Sequence, residues 1–240
     1  ENNLHIGKAN KFLLPFAIKL FVAKKDLTGV PKKYEKKIYQ IGNIVREEFL
    51  KFKKKEKEDE YDKRLKILIL GGSQAAKVFA EKLPYIFEKC HRNRVPLKIY
   101  QQCLPEQNSF LSNFYNKINL DYEIFNFSND ITKYFLKANL AITRAGSSML
   151  AELINVKIPF ISVPLPSSAD NHQLKNAIYY EKNQYSYLIE EKNLDDKLLE
   201  LIKEIHENKL LLSQMIAKQK LYSDAAVYEI IDEEINKIIK

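Results

Sequence analysis

The chain has 240 residues, 45% of them hydrophobic and 29% charged, with only 6 Gly. That composition fits a globular protein and excludes collagen-like, disordered and disulfide-scaffold classes. The net charge of +8 is uneven: residues 1–64 hold 17 Lys and Arg against 10 Asp and Glu, and the rest nearly balance. Basic charge mixed with Phe, Leu and Ile suits an anionic membrane surface or a solvated face. Nucleic acid is not expected, because no recognition helix, zinc-ligand set or RNA-binding aromatic motif accompanies the charge. Cys90 and Cys103 match no metal spacing, and a reducing cytosol is the simplest setting. No apolar run approaches the roughly 18 to 20 residues of a bilayer crossing. The nearest, residues 12–23, is cut by Pro15 and Lys19. The chain begins at Glu1 rather than Met, so it reads as processed or as a piece.

In chain order, residues 8–16 look helical, and residues 20–23 and 37–41 look like strands. That is too little to bury a core of its own. The charged run from Lys51 to Lys63 has no apolar periodicity and reads as a linker. From Leu65 onward, short β-branched runs alternate with amphipathic stretches. Strands are expected at 66–70, 97–100, 122–125, 140–143, 159–163 and 185–189. Helices are expected at 74–89, 107–119, 131–137, 148–155 and 171–181. Apolar strands too uniform to alternate imply a parallel sheet covered on both faces, hence one doubly wound, Rossmann-like α/β domain. The tail, 194–240, is expected to be helical throughout, with Asp224 as a cap.

In such sheets ligands bind beyond the carboxyl ends of the strands. The first strand-to-helix loop is Gly71-Gly72-Ser73-Gln74, a phosphate cradle or a tight structural turn. A second, Thr143-Arg144-Ala145-Gly146-Ser147-Ser148, puts Gly146 and Ser147 at another helix N-terminus. Two such termini facing one crevice suit a diphosphate. Glu152 follows in that helix, either as a solvated carboxylate or as an acceptor for both ribose hydroxyls. A third loop, residues 164–173, carries Asp170, Asn171, His172 and Gln173, followed by Asn176. These side chains offer the donors and acceptors that sugar hydroxyls need, although Asp170 could simply cap the helix.

Gly71-Gly72-Ser73-Gln74, Arg144-Ala145-Gly146, Glu152 and Asp170-Asn171-His172-Gln173 through Asn176 occur in the order and spacing of one family. The chain resembles the bacterial UDP-N-acetylglucosamine transferases that act on undecaprenyl-diphosphoryl-muramoyl-pentapeptide. Gly42-Asn43-Ile44-Val45-Arg46 is similar to their Gly-Asn-Pro-Val-Arg, and Glu1-Asn2-Asn3 to their Glu-Gln-Asn. Departures are Ala75 for a third Gly, Ile44 for Pro, Ser167 for a frequent His, and His172 where some members have Gln.

The resemblance implies a two-domain GT-B fold. Residues 1–45 would be the remnant of an N-terminal acceptor-binding domain, retaining Asn3 on the acceptor side. Residues 46–64 would be hinge and charged linker, 65–221 the UDP-GlcNAc-binding domain, and 222–240 a helix packing on the N-terminal domain. By matching position, Ser73 would touch the diphosphate with Arg46 beside it, and the Ser128 backbone would read uracil. Glu152 would hold the ribose, and Ala145, Gly146 and Ser147 would supply helix-start amides. His172, Gln173 and Asn176 would face the GlcNAc.

The implied activity is inverting transfer of N-acetylglucosamine from UDP-GlcNAc to the lipid-linked muramoyl-pentapeptide of peptidoglycan biosynthesis. It would take place at the cytoplasmic face of the bacterial inner membrane, as a peripheral enzyme on an anionic surface. The general base is expected in the N-terminal domain, most of which these residues do not include, so that a separate N-terminal half is a candidate partner. His5, in the remnant, shows no orienting partner in the sequence. No cofactor or metal is expected: no Asp-x-Asp pair falls at a strand end, and Asp195-Asp196 reads as surface. The alternative is a non-catalytic nucleotide-sugar-binding module that needs a separate acceptor-domain chain.

Overall fold

A computed structural model describes residues 1–52, 63–72, 77–128 and 130–239. The main sheet has six parallel strands: β3 (Leu65–Leu70), β4 (Leu97–Gln102), β5 (Asp121–Phe125), β6 (Leu140–Thr143), β7 (Phe160–Ser162) and β8 (Tyr187–Leu188). Their spatial order is β5-β4-β3-β6-β7-β8, so the winding reverses between β3 and β6. Alternate side chains of β3 serve opposite layers, as a period of two demands. Ile67 and Ile69 face α3 (Lys77–Arg92), α4 (Asn108–Lys117) and α8 (Leu194–Glu207). Leu68 and Leu70 face α5 (Thr132–Lys137), α6 (Ser147–Asn155) and α7 (His172–Lys182). Both faces are therefore covered, and the doubly wound sheet expected from the apolar runs is present.

Ahead of it, α1 (Lys8–Leu13), β1 (Leu20–Val22) and β2 (Ile38–Gln40) form a small parallel unit. Leu4, Ile6, Leu14, Val22, Ala23 and Ile41 of this segment are buried. The Lys37 ammonium donates to the carbonyls of Leu14, Pro15 and Ala17, closing the chain just past α1. Phe12, Leu13, Phe16 and Ile18 remain exposed. Within 46–64, Glu47–Leu50 is a short helix, α2, and Phe49 is fully buried against Phe135 with ring centroids 5.4 Å apart. Phe49 thus belongs to the main core, with Leu50 packed against it, because an apolar Phe finds the α5–α6 layer. Most of the charged run, 53–62, lies outside the described residues.

The tail is not helical throughout. It breaks into α8, α9 (Leu210–Lys220) and α10 (Val227–Ile239). Asn208 leaves helical geometry at φ −126°, ψ 84°, and residues 221–226 turn before α10. Asp224 does not act as a side-chain cap. Its carbonyl accepts from Val227 N, and its carboxylate is used elsewhere. α10 lies against the first 52 residues, with Glu234 paired to Lys19 at 2.5 Å and the Tyr228 hydroxyl donating to the Val45 carbonyl at 2.9 Å.

Candidate functional site

The crevice forms where the strand order reverses, since the loops after β3 and β6 leave in opposite directions. After β3, Gly72 has φ +78°, a left-handed conformation that glycine adopts without a Cβ penalty, and among the described residues nothing lies within 4 Å of where a Cβ would stand. Ser73, Gln74 and Ala75 lie outside the described residues.

After β6, Ala145 is buried and Gly146 is the residue before α6, extended at φ −69°, ψ 133°. No side chain caps this end, so the first-turn amides, including that of half-buried Ser147, keep their donor capacity within the helix frame. Among the described residues, an added Cβ at Gly146 would meet nothing within 4 Å. Arg144 braces the loop from beside it, pairing with Glu191 at 2.6 Å and donating to the Val163 carbonyl at 3.3 Å.

Glu152 lies in α6 and is only 8% exposed. Burial pushes its carboxyl above the usual range, and Arg46 opposes that rise. Arg46 Nε donates to Glu152 Oε1 at 3.1 Å, while its Nη1 meets Glu48 at 3.1 Å and its guanidinium stacks 4.2 Å from the Phe49 ring centre. Arg46 and Glu152, 106 positions apart, are thus brought together.

The loop after β7 carries two consecutive left-handed residues, Asp170 at φ 50° and Asn171 at φ 53°. Neither caps α7 through its side chain. Asp and Asn tolerate this conformation better than other residues with a Cβ, and such outliers concentrate where a loop is held for a purpose. His172 Nδ1 lies 2.8 Å from the Ala169 carbonyl, which can only accept, so Nδ1 carries a proton. The Gln173 Oε1 accepts from Leu165 N at 3.0 Å, bracing the same loop.

Asn176, read in sequence as facing the sugar, has protein partners here. It is buried, and its carboxamide accepts from Leu4 N at 3.2 Å and donates to Asn3 Oδ1 at 3.1 Å and the Ala145 carbonyl at 3.2 Å. A buried carboxamide must find partners. Here they are protein groups, and Asn176 fastens residues 3 and 4 to the β6 loop.

Ser128 stands apart, beyond edge strand β5, with its hydroxyl donating to the Asp130 carbonyl at 2.7 Å. Two strand spacings separate β5 from β3, about 10 Å, a gap that a nucleotide can bridge. His5 does have a partner: its Nδ1 lies 2.9 Å from Thr28 Oγ1, which itself donates to the Leu4 carbonyl.

Residues 66–233 match the family model of the glycosyltransferase family 28 C-terminal domain. The chain belongs to that family. It is 34% identical over 225 residues to the UDP-N-acetylglucosamine–N-acetylmuramyl-(pentapeptide) pyrophosphoryl-undecaprenol N-acetylglucosamine transferase of Pelagibacter ubique, covering 93% of this chain and 61% of that protein. To the enzyme of the same name from Rickettsia bellii it is 31% identical over 243 residues, covering 98% and 68%. The crystal structure of Acinetobacter baumannii MurG superposes with a TM-score of 0.80 at 25% identity, covering 99% of this chain and 66% of that one. The family 28 chain thus has the GT-B-type parallel sheet of these glycosyltransferases, and it spans about three fifths of the Pelagibacter relative.

Sequence reasoning missed a polar cluster beside the site: Asn43, Asn155, Tyr222 and Asp224. It also missed Lys24, buried between the rings of Tyr179, Tyr180 and Tyr222. Asn43 sits inside the Gly-Asn-Ile-Val-Arg segment, which is the one signal that pointed there.

Proposed function

We propose that this chain supplies the donor-binding half of an inverting transferase that moves N-acetylglucosamine from UDP-GlcNAc to a lipid-linked muramoyl-pentapeptide. The observation that carries the reading is Glu152, a buried carboxylate braced by Arg46 one and a half turns into the helix whose uncapped N-terminus follows β6. A carboxylate at that depth can accept both ribose hydroxyls, while the Gly146 and Ser147 end of α6 receives the diphosphate. The names of the Pelagibacter and Rickettsia relatives supply the donor and acceptor.

In this reading the acceptor 4-hydroxyl attacks the anomeric carbon in line, inverting it, and the sugar–phosphate bond breaks toward UDP. Charge growing on the departing diphosphate is met by the α6 amides, worth up to about 2 kcal/mol in partly buried geometry. Gln173, Asp170 and Asn171 shape the sugar-side loop, and half-buried His172 is its polar contact. Ser128, beyond β5, is the uracil end. The protein works peripherally at the cytoplasmic face of the inner membrane, and the exposed Phe12, Leu13, Phe16 and Ile18 among lysines support an anionic lipid surface. Among the described residues no helix is long and apolar enough to cross a bilayer.

The test is transfer of radiolabelled GlcNAc from UDP-GlcNAc to a lipid-linked muramoyl-peptide. Residues 1–240 alone should show no appreciable turnover, because positioning the acceptor accounts for roughly 7–11 kcal/mol of a barrier and a general base for a further factor of about 10² to 10⁴. Adding a relative's N-terminal half should restore transfer. Robust turnover by residues 1–240 alone would contradict the division of labour.

A further inference from the structure

The polar cluster behind the site joins three segments that are distant in sequence. Asp224, only 4% exposed, receives four hydrogen bonds on its carboxylate. Oδ1 accepts from Asn43 N at 2.8 Å and from the Tyr222 hydroxyl at 2.8 Å. Oδ2 accepts from Asn43 Nδ2 at 2.9 Å and from Asn155 Nδ2 at 2.7 Å. Asp224 N returns a bond to Asn155 Oδ1 at 3.1 Å. The approach is so close that a Cβ on Gly42 would lie 2.7 Å from Oδ1.

The positions of these partners matter. Asn43 precedes Arg46 by three residues, and Asn155 follows Glu152 by three residues on the same helix. A second tail residue acts on the same segment: the Tyr228 hydroxyl donates to the Val45 carbonyl, immediately before Arg46. The Arg46 side chain is itself 53% exposed, so burial does not hold its guanidinium over Glu152. Glu48 and the Phe49 ring steer the guanidinium locally, while the position of the residue itself is set by the backbone from 43 to 46, which the tail holds through Asp224 and Tyr228.

We infer that Asp224, seconded by Tyr228, is a positioning residue for nucleotide binding: it sets the Arg46 segment against α6 so that the Glu152 carboxylate is held in its binding orientation. The inference rests on the proposed reading of Glu152 as the ribose acceptor. Glu234 supplies the contrast. It also ties α10 to the first residues, through Lys19, and its ion-pair partners among the described residues, Lys19 and Lys237, lie away from Arg46 in the sequence.

The experiment is calorimetric titration of UDP into residues 1–240 and variants. Asp224→Ala should raise the Kd about tenfold, and Tyr228→Phe severalfold, each the scale of a lost hydrogen bond or two. Both effects should vanish in a Glu152→Ala background, because the side chain being positioned is gone. Glu234→Gln should leave UDP binding unchanged, which a general loosening of the tail would not. Should Asp224→Ala fail to fold, Tyr228→Phe decides in the same two backgrounds. Unchanged UDP affinity in Asp224→Ala or Tyr228→Phe, or a loss of equal size with and without Glu152, overturns the inference while leaving the ribose reading intact. Unchanged affinity in Glu152→Ala overturns both.

Discussion

Glu152 and Lys24 are both groups that burial drives toward the neutral form, and each keeps one opposing charge within reach: Arg46 for Glu152, Asp224 for Lys24. For Lys24 the balance is decided by burial, which brings its ammonium down to about 8. The unfolded chain, with its lysines near 10.4, therefore holds more protons between about pH 8 and 10. Charged Lys24 weakens the fold below that window, and stability is recovered as pH rises through it. Wild-type unfolding free energy from urea titration should thus climb relative to Lys24→Met between pH 8 and 10, by up to about 2–3 kcal/mol. Parallel curves for the two proteins would contradict a charged, buried Lys24. The residues legible from sequence were those on strand-end loops, where position alone announces a role. Lys24 was not, because its three rings come from residues 179, 180 and 222.

At the scale of elements, the central strands β3, β6 and β7 were readable because each is a short apolar run buried on both faces, and the centres of all six match the observed ladder. Ends shifted where a 3-10 turn precedes the helix, as at Pro105–Gln107 before α4. The breaks in the tail were invisible, since residues 207–210 and 221–226 contain neither Gly nor Pro. Asp224 looked like a cap for the same reason. Its partner Asn43 is 181 positions away, and no local pattern carries that information. The turn at Gly42 makes the point testable. Its φ of +96° and its approach to Asp224 leave no room for a methyl group. Gly42→Ala should lower unfolding free energy by more than about 1 kcal/mol, read from denaturant midpoints at constant slope. A midpoint equal to wild type would mean that the hub tolerates a shift of this turn.

For the whole molecule, the +8 charge and its concentration in residues 1–64 take on meaning beside the exposed Phe12, Leu13, Phe16 and Ile18. Apolar side chains among lysines can enter a headgroup layer while the ammonium groups meet anionic lipid. Residues 1–240 should cosediment with anionic vesicles more than with neutral ones, and less so above about 0.1 M salt, where the Debye length falls below about 10 Å. Equal sedimentation with both lipids would remove the membrane surface from the account. The central claim concerns the crevice between β3 and β6, and calorimetry of UDP-GlcNAc with wild type and Glu152→Ala tests it most directly. The account predicts one-to-one binding, weakened in Glu152→Ala by on the order of 1.5–3 kcal/mol for each charge-assisted bond lost. Undiminished affinity in Glu152→Ala, or no binding by the wild type, would contradict it.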